Sequence, residues 1–567
     1  MLRMPPPSAS WRRQGAAASS TSRVACLLAT CALVAYMTGL FHIALPPLSS
    51  TNEARNLTLD SVPAVWQPHE FECVAWRAMS DCDPLRGQRR PSSDQSCGAP
   101  IVSGQAGYCE VRNRTSGSTY RVMATTCHSI GHEVNFTCSM ARAFTDFRHR
   151  AAAYEHAPAP VISGTASRGL VFSIYPAVVP SVFGIIQLLR TYGCLLPIEL
   201  FYRPSEMDPR TNYVLQRLVQ TDNVVLRAIT DPRATKFRTK PYAIYHSSFD
   251  QVLVLDCDNI PLRDPTYLFE SAIFQAKGAV FWPDYWQPSH TLFHVDGDSL
   301  LWEYLDMPFP IGMFEQESGQ VLINRATSLP ALHMLMALTF GPNDVNLVDD
   351  LQLVYGDKDL FRLAFLSTKT SFHYIASLPV IAGTQLPWRL QFCGVAMGQR
   401  DMHGDLVFIH RNSAKISGDA YQVPLLTHLQ RFDQDTHSVT KYTVAWTGEL
   451  GPGQPCWALP WPLAPSSVEA LPPTHPVVQA ERKVIAFAIG AGNLLLGARQ
   501  APIVDATDAV DTWTLCLLAL AVVLYAVWQV AVRQLQAAGQ RQLVHGWMQL
   551  LGPKKKRKTS SIAHDYV

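Results

Sequence analysis

An apolar run of strand length, Val252-Leu253-Val254-Leu255, ends abruptly in two aspartates one residue apart, Asp256 and Asp258. The run reads as a strand buried on both faces. The carboxylates then fall at its C-terminal edge, where open α/β sheets place their ligands. Two carboxylates that close repel each other unless a cation lies between them. Hard divalent cations take oxygen ligands, and Mg²⁺ or Mn²⁺ typically bridges one or two carboxylates to a substrate phosphate. A strand that simply ends in an Asp/Asn turn would look the same, so the surroundings must decide.

The elements that position this pair follow from the pattern around it. Gly169 to Tyr175 reads as a first strand, Val178 to Tyr192 as a helix closed by Gly193, and Pro197 to Tyr202 as a second strand. This βαβ pacing predicts an α/β fold with parallel strands and a nucleotide-type crevice. A helix near 212–220, a strand at 224–229 and a helix at 242–247 lead into the Asp256 strand. Further on come a strand at 278–282, a helix at 329–340, a segment turning helical over 355–365, and a strand 405–409 that ends at His410.

At 567 residues the chain has room for one large domain and extra modules, and a net charge of +2 gives no global field for nucleic acid. Segments 24–45 and 512–532 hold no Lys, Arg, Asp or Glu. Each is about 20 residues long, enough to cross a bilayer as a helix. Arginines precede the first, and the cluster Lys554 to Lys558 follows the second, which places both termini in the cytosol and the middle in a lumen. The first segment is read as an uncleaved signal anchor. The basic cluster is read as touching anionic lipid or fixing topology rather than as a nuclear signal. Six cysteines crowd one region (Cys73, Cys82, Cys97, Cys109, Cys127 and Cys138), as do sequons at Asn56, Asn113 and Asn135. Disulfides and glycosylation in an oxidising compartment are the expectation, with the pairing open. The division is therefore a cytosolic N-terminus 1–23, a membrane anchor 24–45, a stalk 46–65, a cysteine-rich module 66–150 and a linker 151–164. A catalytic domain 165–430, a Pro-rich luminal region 431–511, a second membrane helix 512–532 and a basic tail 533–567 follow. The prolines of 431–511 predict extended, loosely packed chain.

Six blocks give the aspartate pair a family context. They are Leu189 to Leu200, Lys240-Pro241-Tyr242-Ala243, Leu253 to Pro265, Phe281-Trp282-Pro283-Asp284, Glu315 to Gln320, and Gly356 to Ala364. In content and order they resemble the fungal Golgi α-mannosyltransferases of glycosyltransferase family 71, over about 165–415. The resemblance implies a GT-A-like nucleotide-sugar-binding sheet with flanking helices and retaining transfer of mannose from GDP-mannose. Asp256 and Asp258 would hold Mn²⁺ (or Mg²⁺) on the diphosphate, and His410 could complete the metal sphere. Ser173 and Tyr175, at the end of the first strand, would lie beside the nucleoside. Lys240 and Lys358 are candidates for the nucleotide sugar, and Asn259 for bracing the aspartate loop. Glu317, in a motif read as a loop flanked by Gly319, is the first candidate for stabilising an oxocarbenium-like state, and Asp357 the second. Trp282, Tyr285, Trp286 and Trp388 could stack on sugar rings or belong to the core. Cys257, between the aspartates, would weaken the expectation if it were disulfide-bonded.

The expected function is a metal-dependent retaining mannosyltransferase of the Golgi membrane, its catalytic domain luminal, acting on a mannose-bearing glycan or glycoprotein. The alternatives are a retaining transferase using UDP-galactose, UDP-glucose or UDP-N-acetylglucosamine, and a catalytically silent membrane-tethered glycan-binding protein.

Overall fold

The computed structural model describes residues 70–131, 134, 136–140, 160–341, 351–386, 391–460 and 463–495. Segments 24–45 and 512–532, the sequons at Asn56 and Asn135, and Trp388 lie outside these residues. Among the described residues, no helix is long and apolar enough to cross a membrane.

The cysteine-rich module is a three-stranded antiparallel sheet, β1 (Phe71–Ala78), β2 (Gly107–Asn113) and β3 (Thr119–Thr125), in that order. Its six cysteines pair among themselves, as Cys73–Cys97, Cys82–Cys127 and Cys109–Cys138. The bridges staple a unit too small to bury a large core alone. Its apolar side, with Phe71, Trp76 and Phe136, is continuous with the core of the next domain. The Leu300 amide donates to the Ser129 carbonyl at 2.9 Å and seals that contact.

The second domain contains a seven-stranded sheet. Strands β4 (Arg168–Ile174), β5 (Ile198–Tyr202), β6 (Val224–Ala228) and β7 (Gln251–Leu255) run parallel. Helix α1 (Val179–Thr191) joins β4 to β5, α2 (Tyr213–Thr221) joins β5 to β6, and α3 (Thr239–His246) precedes β7. Local chemistry fixes the ends of these helices. Gly193, at φ +81°, turns the chain after α1, and the Asn212 carboxamide oxygen accepts from the amides of Val214 and Leu215 at the start of α2.

Four further elements carry the chain across: β8 (Asn259–Pro261), α4 (Ala272–Lys277), β9 (Ala279–Pro283) and α5 (Leu301–Leu305). Strand β10 (Gln316–Asn324) enters the sheet antiparallel to both β7 and β9. After α6 (Leu329–Phe340) and α7 (Leu360–Ser367), β11 (His373–Tyr374) completes the order β11-β9-β10-β7-β4-β5-β6. The chain leaves β4 toward β5 on one side and returns to β7 on the other. The β4/β7 boundary is thus a topological switch point, where such sheets bind ligands.

A second sheet is built from β8, β12 (Val380–Leu386), β13 (Gln391–Arg400), β14 (Leu406–His410), β15 (His428–Phe432) and later strands. The Pro-rich region corrects the expectation of loose chain. There β16 (Ala445–Gly451) pairs with β17 (Gln454–Ala458), β17 pairs with β13, and β18 (Ser466–Ala470) pairs with β15. A disulfide, Cys393–Cys456, joins β13 to β17, and helix α8 (Pro476–Leu495) lies against α1. Residue 430 is therefore no structural edge. Pro452, Pro460, Pro465, Pro472 and Pro473 fall in turns and connections, and Pro476 opens α8, where the missing N–H costs little.

Candidate active site

Strands β7 and β8 are separated only by Asp256-Cys257-Asp258, so the aspartates mark the place where the chain passes from the first sheet to the second. Strand β8 pairs antiparallel with β14 in a register that sets Asn259 opposite His410. His410 thereby reaches Asp258 across 152 residues of sequence, with Nε2 3.1 Å from Asp258 Oδ1 and 4.0 Å from Asp256 Oδ2. Ligand atoms of Asp256, Asp258 and His410 all lie within 4.8 Å of one another. Two carboxylate oxygens and one imidazole nitrogen are a donor set suited to Mn²⁺ or a similar divalent ion. The residues present therefore fit such a cation.

Strand β10 brings the second tier. Because it runs antiparallel, its first residues meet the C-terminal edge of β7, and Gln320 sits opposite Leu255. Glu317 is thus a strand residue, paired with Trp282, not the loop residue expected. Its carboxylate accepts from the Gly319 amide and lies 3.2 Å from His410 Nδ1. Burial alone would raise that carboxyl, but His410, the Gly319 amide and Lys240 together pull it down to about 2. Burial likewise opposes charge on His410, yet Glu317 and Asp258 hold the imidazole well above its usual range. Asp258 is held well below the carboxylate range against its burial, by His410 and Lys415.

Lys240, the second residue of α3, is buried, and its ammonium lies 2.8 Å from Asp256 Oδ1, 3.1 Å from Asp357 Oδ2 and 2.8 Å from the Ser318 carbonyl. Asp357 is raised by burial, which Lys240 only partly offsets. Asn259 donates to the Gly319 carbonyl at 2.7 Å and to Gln320 at 2.6 Å, and so braces the turn against β10. Tyr175 is half exposed and lies in the field of Lys415, Cys257 and Asp258. The Ser173 carbonyl accepts from the Cys257 thiol at 3.3 Å. Cys257 itself is buried and unbridged, so no disulfide locks the loop.

These placements bring Asp256, Asp258, His410, Glu317, Lys240, Asp357, Ser173 and Tyr175 together. Lys358 points elsewhere. Its buried ammonium lies 2.7 Å from Asp284 and 2.5 Å from Glu315. With Asp359 also near that lysine, the group carries an excess of carboxylates. Burial and the neighbouring Glu317 and Glu315 push Asp284 up to about 7 despite Lys358. The proposed sugar-stacking residues Trp282, Tyr285 and Trp286 are core residues, with Trp282 Nε1 bonded to the Arg400 carbonyl. The residue that sequence reading missed is Lys415, whose ammonium contacts Asp258 Oδ2 while 59% of its side chain stays exposed. Its only signal was a basic residue five positions after His410 in a polar stretch.

Residues 167–296 and 310–401 match the family described as "Mannosyltransferase putative". The chain is similar to alpha-1,2-mannosyltransferase MNN21 of Candida albicans, with 30% identity over 40% of this chain and 41% of that one. It is similar also to alpha-1,2-mannosyltransferase MNN2 of Saccharomyces cerevisiae, with 26% identity over 46% of this chain and 49% of that one. The matches thus span less than half the length of either relative. The glycosyltransferase GlyE of Streptococcus pneumoniae aligns with 37% of this chain and 46% of its own at 17% identity and TM-score 0.26, a likeness too partial to carry weight.

Proposed function

We propose that this chain transfers a mannosyl group from GDP-mannose to a hydroxyl of a mannose-bearing glycan, with retention of configuration, at the luminal face of the Golgi membrane. One observation carries the reading: a corner of two carboxylates and an imidazole stands at the switch point of a domain whose sequence matches mannosyltransferases. Donor identity, retention and the Golgi follow from the resemblance to the fungal family. The four disulfides among the described residues support an oxidising compartment.

A divalent cation held by Asp256, Asp258 and His410 would serve as a Lewis acid toward the departing diphosphate. The chain's own residues prepare that place. Glu317 stands 3.2 Å from His410 Nδ1 while Nε2 faces the aspartates, and its charge would help to orient the ring. Lys240 balances Asp256 and Asp357, so the buried corner is not left with uncompensated carboxylates. The exposed stem of Lys415 lets its ammonium swing from Asp258 to phosphate oxygens. Ser173 near the end of β4 and Tyr175 just beyond it would lie on the nucleoside side of the crevice.

The test is a donor panel on the full-length chain stripped of metal, with a mannoside acceptor. Transfer from GDP-mannose should appear only when Mn²⁺ or Mg²⁺ is restored. Asp258→Asn should abolish metal-dependent turnover while expression and disulfide formation persist. Transfer from UDP-galactose, UDP-glucose or UDP-N-acetylglucosamine but not from GDP-mannose would replace the donor. Undiminished turnover in Asp258→Asn would remove that carboxylate from the mechanism.

A further inference from the structure

The segment from Arg411 to Leu426 leaves β14 directly after His410 and carries Lys415 to Asp258. It has no strand or helix of its own, so something else must hold it. The holder is α8, a helix beyond the stretch that matches the mannosyltransferase family. At the neck of the loop, the fully buried Glu481 carboxylate takes the Arg411 guanidinium from one end. From the other end it accepts the amides of Leu425, at 3.0 Å, and Leu426, at 2.7 Å. The Arg411 amide in turn donates to the Asp258 carbonyl at 2.8 Å.

A second contact is independent of that staple. Midway along the loop Gly418, at φ +79°, is wedged between α1 and α8. A Cβ there would come within 2.6 Å of Pro180 Cβ and 2.7 Å of the Ala488 carbonyl. A Cβ on Gly492 of α8 would come within 2.3 Å of the Gly418 carbonyl. Glu481, Ala488 and Gly492 are spaced by seven and four residues, so they share one helical face. The neighbouring Gly490 has open space around its Cα.

We propose that α8 is the seat of the donor-site loop and that Glu481 is a positioning residue. By closing the loop at its neck and bedding it at Gly418, α8 sets where Lys415 and Arg411 stand relative to Asp258. The inference rests on the reading of Asp258 and Lys415 as donor-site residues, but the seat itself can be tested without turnover.

Two alanine substitutions on one helix separate the cases. Both replace a helical glycine, which favours the helix itself, but only Gly492→Ala meets the loop. In metal-free, full-length protein, Gly492→Ala should speed amide hydrogen exchange across 411–426, while Gly490→Ala leaves it as in wild type. With Mn²⁺ and GDP, calorimetry should give about tenfold weaker affinity for Gly492→Ala, the scale expected when a supporting partner of a metal site is lost. Its KM for the donor should rise more than its kcat falls. Glu481→Gln reads the same loop from its neck and should show the same two changes, which keeps the test open if Gly492→Ala folds poorly. Wild-type exchange and affinity in both Gly492→Ala and Glu481→Gln would overturn the proposal. If wild-type protein binds neither Mn²⁺ nor GDP, the donor-site reading falls, and the exchange difference still reports on the seat.

Discussion

Glu317 stood first among the residues expected to face the sugar, and in the structure its carboxylate stands beside His410. That carboxylate accepts from the Gly319 amide and lies 3.2 Å from His410 Nδ1, where its charge favours the protonated imidazole. Glu317→Gln preserves shape but removes the charge, and Mn²⁺ affinity should fall by about 10–100-fold. Unchanged affinity would return Glu317 to the candidates for direct contact with the sugar. Away from the site, Glu303 on α5 is largely buried, and one of its carboxylate oxygens has no hydrogen-bond partner among the described residues. Burial, helped by Asp306, raises its pKa from 4.5 to about 7. The folded chain then keeps a proton that the unfolded chain gives up, so its stability falls as pH rises from about 4.5 to about 7 and stays low above. At 1.36 kcal/mol per unit the loss is about 3 kcal/mol. Glu303→Gln should flatten melting temperature against pH over that window. A slope identical to that of wild type would count against this account of Glu303.

At the scale of elements, what the sequence made legible was local. The strand before Asp256, the helices on either side of β5 and the helix over 329–340 all follow from periodicity and capping, and they appear within a few residues of the expected bounds. The aspartate pair was equally plain, because an apolar run that ends in carboxylates is a local signal. The antiparallel entry of β10 was not legible, since Glu315 to Gln320 around Gly319 reads as a loop until β7 and β9 flank it. Lys415 was hidden for the same reason: its meaning lies in a register between β8 and β14 that no short window contains. The strands of 431–470 were hidden by their prolines, and Cys393 and Cys456 gave only a weak clue, as two of four cysteines, with Cys194 and Cys257, outside the cysteine-rich module and the segments 24–45 and 512–532. Their bridge closes a span of 63 residues, and on chain-entropy grounds removing it should cost about 4 kcal/mol. The double variant Cys393→Ser/Cys456→Ser should therefore lose that much in denaturant unfolding, while the three bridges of the cysteine-rich module persist. A loss under about 1 kcal/mol would mean that the strands around β17 hold without it.

For the whole molecule, sequence similarity and folding unit have different limits. The family match stops at residue 401, but β13 needs β17, β15 needs β18, and α1 needs α8. At Gly184 of α1 a Cβ would come within 2.6 Å of the Val484 carbonyl, so the two helices are fitted backbone to backbone. A chain ended after residue 430 should be insoluble or should expose apolar surface to a reporter dye. One ended after residue 495 should match the full chain in thermal unfolding of the described domains. Equal behaviour of the two would show that α8 is an accessory.

The staple from Glu481 also bears on the order of synthesis. A ribosome makes Asp256 and His410 well before it makes the residues that fix their surroundings. The corner's surroundings are thus finished last, by the final described helix, and a nascent chain that carries every candidate ligand still lacks the contacts that hold them in place.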